Sequence, residues 1–200
     1  MIKNIIFDMG KVLIEFAPEE FMARYGVTGD ELELLRSTIF MSEEWRHMDD
    51  GSMDEPDVVA VMKTRLPEKY HTLLEDLIMR WDDPILPMKG MADLIQELKG
   101  KGYGIFLLSN ASHRQHDYWP RIPGSEYFDG TVISADIRCM KPNPGIYEHL
   151  FKTFNLVPGE CFFIDDLPAN IEGARKAGME GFVFKGDVNE LREELKKVLV

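Results

Sequence analysis

One stretch near the start of the chain decides the fold: Ile5-Ile6-Phe7-Asp8-Met9-Gly10-Lys11-Val12-Leu13-Ile14. It sets a carboxylate and a glycine between two apolar runs. A strand that is buried in a parallel sheet is apolar along its length and meets a polar residue where it leaves the sheet. Ligands of open α/β sheets bind at that carboxyl end. We therefore predict a first strand over 2–7 and take Asp8 as the first candidate for chemistry, although Asp beside Gly is equally typical of a plain turn.

Length and composition describe an ordinary globular protein. The chain has 200 residues, of which 44% are hydrophobic and 29% charged, and this suits one domain or a core with an inserted lobe. With 23 basic and 35 acidic side chains, the formal charge is -12. Such a surface repels nucleic acid phosphates and anionic membranes, so we expect neither nucleic acid nor membrane as a partner.

The cysteine content and the N-terminus favour a cytoplasmic protein. Two cysteines occur, Cys139 and Cys161, and they do not indicate a disulfide framework. The start of the chain lacks the pattern of a signal peptide, and no window approaches the roughly 20 apolar residues of a membrane span.

Residues 15–87 differ from their surroundings because they lack apolar strand runs and carry helical patterns. Helices are predicted over 18–25, 30–41, 54–66 and from 67 to about 78, with Asp30 as the N-cap of the second. Since this stretch follows the first strand and precedes the second, we expect an all-helical lobe inserted into a core made of 1–14 and 88–200.

From Met88 onward, helices and strands alternate. Strands are predicted over 103–108, 130–134, 160–164 and 181–184, and helices over 91–99, 113–120, 144–154, 169–177 and 187–199. Repeated strand and helix units of this kind imply a parallel sheet with helices on both faces. The predicted class is α/β, with a Rossmann-like core.

Polar residues follow several of these strands, and the carboxyl ends of parallel strands meet at one edge of a sheet. Two carboxylates about 4 Å apart repel by about 4 kcal/mol even at an effective dielectric constant of about 20, so a group of them needs a cation. Oxygen ligands without histidine or cysteine favour Mg²⁺ over Zn²⁺. The residues expected at this edge are Asp8, Ser109, Asn110, Lys141, Asp165 and Asp166. A helix cap at Ser109-Asn110 and a surface role for Lys141 are the alternatives.

The order Asp8, Ser109, Lys141-Pro142 and Asp165-Asp166 resembles the four motifs of the haloacid dehalogenase (HAD) superfamily across the whole chain. The helical insertion after the first motif resembles the α-helical cap of that superfamily. Further segments are similar to the bacterial α-glucose-1-phosphate phosphatase branch: Phe7-Asp8-Met9-Gly10, Leu107-Leu108-Ser109-Asn110, Trp119-Pro120, Ile146-Tyr147-Glu148-His149, Phe163-Ile164-Asp165-Asp166 and Asn170-Ile171-Glu172-Gly173-Ala174.

The resemblance implies a phosphatase mechanism. Asp8 would attack phosphorus to give an aspartyl phosphate that water hydrolyses. An oxygen of Asp8, the carbonyl of Gly10 and Asp166 would hold Mg²⁺, with Asp165 bound directly or through water.

It also implies the groups that hold the substrate. Ser109 and the backbone of Asn110 would bind the phosphoryl group, Lys141 would neutralise nucleophile and phosphate, and Asn170 would support the fourth motif. The substrate would be a small phosphorylated metabolite, plausibly a sugar phosphate such as glucose 1-phosphate, and the protein a monomer or homodimer.

Gly10 departs from the pattern of most phosphatases in the superfamily. They carry there a second aspartate that acts as general acid and base, a role worth about 10² to 10⁴ in rate. An anomeric hydroxyl is acidic enough to need less protonation, which offers one explanation. Lys11, a residue of the inserted lobe or water are the other candidate proton donors.

Three functions stay open at this point. The first is the Mg²⁺-dependent phosphatase. The second is a hydrolytic dehalogenase, against which the Asp165-Asp166 pair argues because that chemistry needs no metal. The third is a phosphate- and metal-binding protein that has lost turnover through Gly10.

Overall fold

A computed structural model describes residues 1–199; Val200, the last residue of the predicted core segment, lies outside the described residues. The strands form one five-stranded sheet in which every pairing is parallel. In chain order they are β1 (Asn4–Phe7), β2 (Gly104–Ser109), β3 (Gly130–Ile133), β4 (Cys161–Asp165) and β5 (Glu180–Val183). Their spatial order is β3-β2-β1-β4-β5, which confirms the predicted Rossmann-like class.

Both faces of the sheet are covered by helices. These are α6 (Met91–Gly100), α7 (Gln115–Tyr118), α8 (Ser134–Ile137), α9 (Pro144–Phe154), α10 (Pro168–Lys176) and α11 (Val188–Val198). Ile5 and Phe7 of β1 lie in one apolar cluster with Leu94 and Leu191, whereas Ile6 lies in a second cluster with the side chains of α9 and α10. The alternation of side chains along a strand explains this division.

Between β1 and α6 lie five further helices. They are α1 (Pro18–Ala23), α2 (Gly29–Thr38), α3 (Glu43–Asp49), α4 (Glu55–Lys63) and α5 (His71–Met79), the last preceded by a 3-10 turn. The prediction that Asp30 caps the second helix is wrong, because the helix begins at Gly29 and Thr28 is its N-cap. Helix α3 was not predicted; its N-cap Ser42 accepts a hydrogen bond from the backbone of Trp45.

The chain leaves the core and returns to it through two adjacent segments. The backbone N–H of Glu15 donates to the carbonyl of Leu86 at 2.7 Å, and that of Met88 donates to Leu13 at 2.8 Å. Ile14 and Pro87 form an antiparallel bridge between these bonds. The two connections of the helical stretch therefore run side by side.

Successive strands are added on one side of β1 first and then on its other side. The connection from β1 leads to β2 on one side, and the chain later crosses to β4 on the other. Crevices at such a point bind ligands in open α/β sheets. The residues that leave the sheet there are Asp8, directly after β1, and Asp165, at the end of β4. No helix within residues 1–199 has the length and apolar character that crossing a membrane requires.

Candidate active site

A tight turn after β1 positions Asp8. The backbone N–H of Asp8 still donates to Ile164 of β4 at 2.9 Å, so the residue is held at the sheet edge. The carbonyl of Met9 then accepts from the N–H groups of Leu13 at 2.8 Å and Ile14 at 3.1 Å. Lys11 completes the turn in the left-handed region, with a φ of 57°. Because the chain turns back directly after β1, the side chain of Asp8 stays at the edge of the sheet where the strands end.

Lys141 links the two buried carboxylates of the site. Its Nζ atom donates to Asp8 Oδ1 at 2.6 Å, to Asp165 Oδ2 at 2.7 Å and to the carbonyl oxygen of Leu108 at 2.8 Å. The side chain is 1% exposed. An ammonium group has three protons, and all three are used here. In this geometry Lys141 acts on a ligand through its charge, because a direct hydrogen bond would require one of these bonds to break.

Asn110 holds the backbone of Lys141 in place. Its side-chain amide donates to the Lys141 carbonyl at 3.0 Å, and its side-chain oxygen accepts from the Lys141 N–H at 2.8 Å. The side chain of Asn110 thus fixes the position of the lysine, a role that the sequence analysis did not assign to it.

Asp165 is enclosed by hydrogen-bond donors. One oxygen accepts from the N–H of Leu167 at 2.8 Å and from the amide of Asn170 at 2.9 Å, while the other accepts from Asn170 at 3.0 Å and from Lys141. The residue is 0% exposed. With two donors on each oxygen, its capacity as an acceptor is filled. Asp166 is half-buried, and its nearest cation is the Lys11 ammonium group at 3.9 Å.

The charges in this cluster do not balance, and the pKa values respond. Burial, together with the charge of Asp165, raises the pKa of Asp8 to about 7 although Lys141 opposes the shift. Burial and the charge of Asp165 also raise the pKa of Asp166. Burial would lower the pKa of Lys141, but the carboxylates of Asp8 and Asp165 outweigh it and raise that pKa. A site that raises the pKa of its acids in this way has room for more positive charge.

The arrangement fits a hard divalent cation. Carboxylate oxygens of Asp8, Asp165 and Asp166 all lie within 4.8 Å of one another. Gly10 lines the same cavity as Asp8 and Asp166. Oxygen donors of this kind are those that Mg²⁺ prefers. Because Asp165 is saturated with hydrogen bonds, Asp8 and Asp166 are the carboxylates best able to serve as direct ligands.

Ser109 provides an unpaired hydroxyl at the end of β2. The residue is 1% exposed, and its Oγ atom has no hydrogen-bond partner among the residues that the structure describes. A buried hydroxyl without a partner costs free energy unless a ligand or water satisfies it. Asn110 lines the cavity next to it, so the predicted pair lies at the expected edge of the sheet.

A cavity of about 240 Å³ opens over these residues. The core supplies its polar floor, and the inserted helices supply most of the apolar wall. Four aromatic side chains contribute to that wall: Phe16, Trp45, Trp81 and Tyr118. Two carboxylates, Asp49 of α3 and Glu55 of α4, also line it. Neither carboxylate was predicted as a site residue; the Asp49-Asp50-Gly51 turn inside a helical region was the signal available for Asp49.

Comparison with known proteins identifies the family. The model for haloacid dehalogenase-like hydrolases matches residues 2–178. The chain belongs to this family. It is therefore a HAD-like hydrolase, which confirms the superfamily that the four motifs predicted.

Several HAD relatives span nearly the whole chain. A sesquiterpene phosphatase of Aspergillus oryzae is 26% identical over 90% of this chain and 88% of its own length. The D-ribitol-5-phosphate phosphatase of Bacteroides thetaiotaomicron is 24% identical over 100% of this chain and 99% of its own. A HAD-family enzyme of the same bacterium, solved with magnesium and inorganic phosphate, superposes with a TM-score of 0.70 at 22% identity, covering 96% of this chain and 99% of its own.

Proposed function

We propose that this HAD hydrolase is a Mg²⁺-dependent phosphatase of small phosphate monoesters, with residues 15–87 forming a cap over a core made of 1–14 and 88–200. The observation that carries the proposal is the position of Lys141 between Asp8 and Asp165, with Asp166 beside them. Three carboxylates around one buried lysine leave a deficit of positive charge that a divalent cation would meet.

Each residue has a defined task in this reaction. Asp8 attacks phosphorus and becomes an aspartyl phosphate, which water then hydrolyses. The charge of Lys141 favours the ionised form of Asp8, and the free hydroxyl of Ser109 donates to an oxygen of the transferring group. Asp8, Asp166 and the carbonyl of Gly10 would hold Mg²⁺, and the bound cation would neutralise charge on the phosphoryl oxygens. Asp165 keeps Lys141 and Asn170 in place.

The wall of the cavity indicates the class of leaving group. None of the residues that the inserted helices contribute to it is basic, since the lysines of the cavity, Lys11 and Lys141, both belong to the core. A second phosphate or a carboxylate on the substrate would meet Asp49, Glu55 and aromatic rings. We therefore favour an uncharged alcohol that can lie against aromatic faces.

Two kinds of alcohol meet this description. A sugar or polyol presents its C–H face to aromatic rings, and a terpenoid presents an apolar chain. Names of full-length relatives include a ribitol phosphate phosphatase and a sesquiterpene phosphatase, one of each kind. Glucose 1-phosphate remains the first sugar phosphate to test, because the resemblance to its phosphatase branch rests on residues of this chain.

The test is phosphate release from a panel that contains glucose 1-phosphate, ribitol 5-phosphate and farnesyl phosphate, with Mg²⁺ and with a chelator. We expect metal-dependent release that falls by at least about 10³-fold in Asp8→Asn, because the nucleophile is lost. Asp93→Asn, a change of the same charge at an exposed position of α6, is the control and should keep full activity.

Two results would contradict the proposal. One is the absence of phosphate release from every substrate by folded protein that binds Mg²⁺, which would support the non-catalytic alternative. The other is halide release from a haloacid in the presence of a chelator, which would support the dehalogenase.

A further inference from the structure

The reaction proposed above lacks a proton donor near the leaving group. Gly10 stands where most phosphatases of the superfamily have one, and it lines the cavity without a side chain. Its position has space: a Cβ atom there would meet no other heavy atom within 4 Å. The missing group therefore has to come from another part of the cavity wall.

Two carboxylates face the cavity from the inserted helices. The Oε1 atom of Glu55 accepts a hydrogen bond from the hydroxyl of Ser112 at 2.7 Å, whereas Asp49 accepts from the backbone N–H of Ser112. Asp49 is partly exposed to the cavity and, among residues 1–199, forms no ion pair. A carboxyl group that lines the site and has no cationic partner is available for proton transfer.

The backbone fixes Asp49 against the core. It is the last residue of α3, and its carbonyl accepts a hydrogen bond from the hydroxyl of Ser134 at 2.5 Å. Gly51, two residues on, has a φ of 71° and lies so close to the Ala135 carbonyl that a side chain there would collide with it. Position 49 is therefore held independently of its own side chain, which is the preorganisation that a catalytic group needs.

We propose that Asp49 is the general acid and base of this enzyme and replaces the aspartate that Gly10 lacks. The inference rests on the proposed phosphatase activity.

Two steps use the group in opposite directions. In the first, an oxygen of Asp8 bonds to phosphorus, the bond from phosphorus to the alcohol oxygen breaks, and the Asp49 carboxyl group gives its proton to that oxygen. In the second, the Asp49 carboxylate takes a proton from water as the water oxygen bonds to phosphorus. The bond to Asp8 breaks, inorganic phosphate leaves, and Asp49 is again protonated. The sum is hydrolysis of one ester by one water molecule.

The surroundings of Asp49 favour the protonated form that the first step requires. Burial raises its pKa well above the ordinary value, and the charges of Asp50, Glu55 and Asp8 add to the shift. The backbone N–H of Ser112 opposes it. Tyr118 also faces this group: burial and the charge of Asp49 raise its pKa, so it stays neutral.

The test compares two leaving groups on one preparation of enzyme. An alkyl phosphate that the wild type hydrolyses needs a proton on its alcohol oxygen, whereas p-nitrophenyl phosphate releases a stable anion without one. For Asp49→Asn we expect kcat/KM to fall by about 10² to 10³ on the alkyl ester and by less than about fivefold on the nitrophenyl ester. Asp57→Asn, a change of the same charge at an exposed position of α4 outside this cavity, should leave the ratio of the two kcat/KM values at its wild-type level.

The ratio separates the possible outcomes, because loss of folded protein lowers both values equally. An equal fall on both esters, or no fall on either, overturns the role of Asp49 while the phosphatase itself stands. Wild-type protein that hydrolyses neither ester overturns both proposals, because no leaving group then needs a proton.

A rescue variant adds a second readout. A side chain fits at position 10. In the Asp49→Asn background we therefore expect Gly10→Asp to raise the ratio of kcat/KM on the alkyl ester to kcat/KM on the nitrophenyl ester at least tenfold. Gly10→Asn should leave that ratio unchanged. A ratio that stays at the Asp49→Asn value in the folded aspartate variant would show that the missing function is not proton transfer.

Discussion

Two buried ionic clusters in this molecule are built on opposite principles. In the active site, Asp8, Asp165 and Asp166 surround one buried lysine, so negative charge is in excess. At the point where the helical stretch returns to the core, Asp82 is 3% exposed and pairs with both Arg114 and Arg121, so positive charge is in excess.

The excess of negative charge in the first cluster suits a cationic ligand, whereas the second cluster is a structural ion pair, which we call the Asp82 tie. The lysine of the first cluster is shared, and the pKa of Asp8 is raised to about 7. The excess of negative charge in that cluster is what the proposed Mg²⁺ would balance. The carboxylate of Asp82 already has two guanidinium partners and needs nothing more, and it fastens the returning chain to α7 and the turn after it. Three predictions follow from this contrast in order of expected effect.

The largest effect should come from Lys141→Met, which removes the cation from two buried carboxylates and keeps the length of the side chain. We expect the free energy of unfolding in chelator to fall by about 3–5 kcal/mol. Phosphatase activity should fall by about 10² to 10³-fold. Urea unfolding and phosphate release measure the two effects.

Lys99→Met is the matched control, since Lys99 pairs with Asp129 at the surface. Exposed pairs contribute about 1 kcal/mol or less. Equal losses in the two variants would show that the active-site cluster is an ordinary ion pair, and the contrast with Asp82 would lose its basis.

The second prediction concerns pH. In metal-free protein, Asp8 keeps its proton up to a pH of about 7, whereas in the unfolded chain it loses it near 4. Between pH 4 and pH 7 the folded protein therefore holds one proton more than the unfolded chain. The stabilisation of the folded state by this proton is fully present below pH 4 and is lost as the pH rises through 7. Relative to Asp8→Asn, the wild type should lose roughly 2–3 kcal/mol of unfolding free energy between pH 5 and pH 8.

Urea titrations of both proteins in chelator, at four pH values over this range, make that comparison. Saturating Mg²⁺ should shrink the difference because the metal favours ionised Asp8. Parallel pH profiles for the two metal-free proteins would contradict the raised pKa.

The smallest effect belongs to Asp82→Asn. It leaves two arginines without their carboxylate, but Arg121 is half-exposed and regains water. We expect a loss of about 1–2 kcal/mol, with an unfolding free energy that varies with pH between 5 and 8 as in the wild type. Asp83→Asn, at the exposed neighbouring position, is the control. A changed pH profile would mean that the Asp82 tie, like the active site, carries an unbalanced titrating group.

Local patterns were sufficient to predict the sheet, because its strands are apolar runs that end at polar residues. Helix α9 was predicted with its observed bounds since Asn143 and Pro144 mark its start and the left-handed Asn155 its end. Helix α3 was missed because its seven residues include only two large apolar ones, Trp45 and Met48.

Local patterns predict the residues of the site to the same extent: they reveal strand ends but not contacts between distant segments. Asp8 and Asp165 both reach Lys141, and Ser109 ends the neighbouring strand, because parallel topology brings strand ends to one edge of the sheet. That topology can be predicted from the sequence. Asp49 reaches the cavity only because α3 packs on the segment after β3, and no periodicity in either segment encodes that contact. Asp82 likewise meets Arg114 and Arg121 across more than 30 positions.

The paired segments at Leu13–Glu15 and Leu86–Met88 have a consequence for how such a protein diversifies. The two ends that the helical stretch joins are already hydrogen-bonded to each other. Seen from the sheet, everything between them is an insertion into one hairpin, and its length can change without reordering a strand. Replacing residues 15–87 would therefore change Trp45, Asp49 and Glu55 in the cavity wall and leave Asp8 and Lys141 in place.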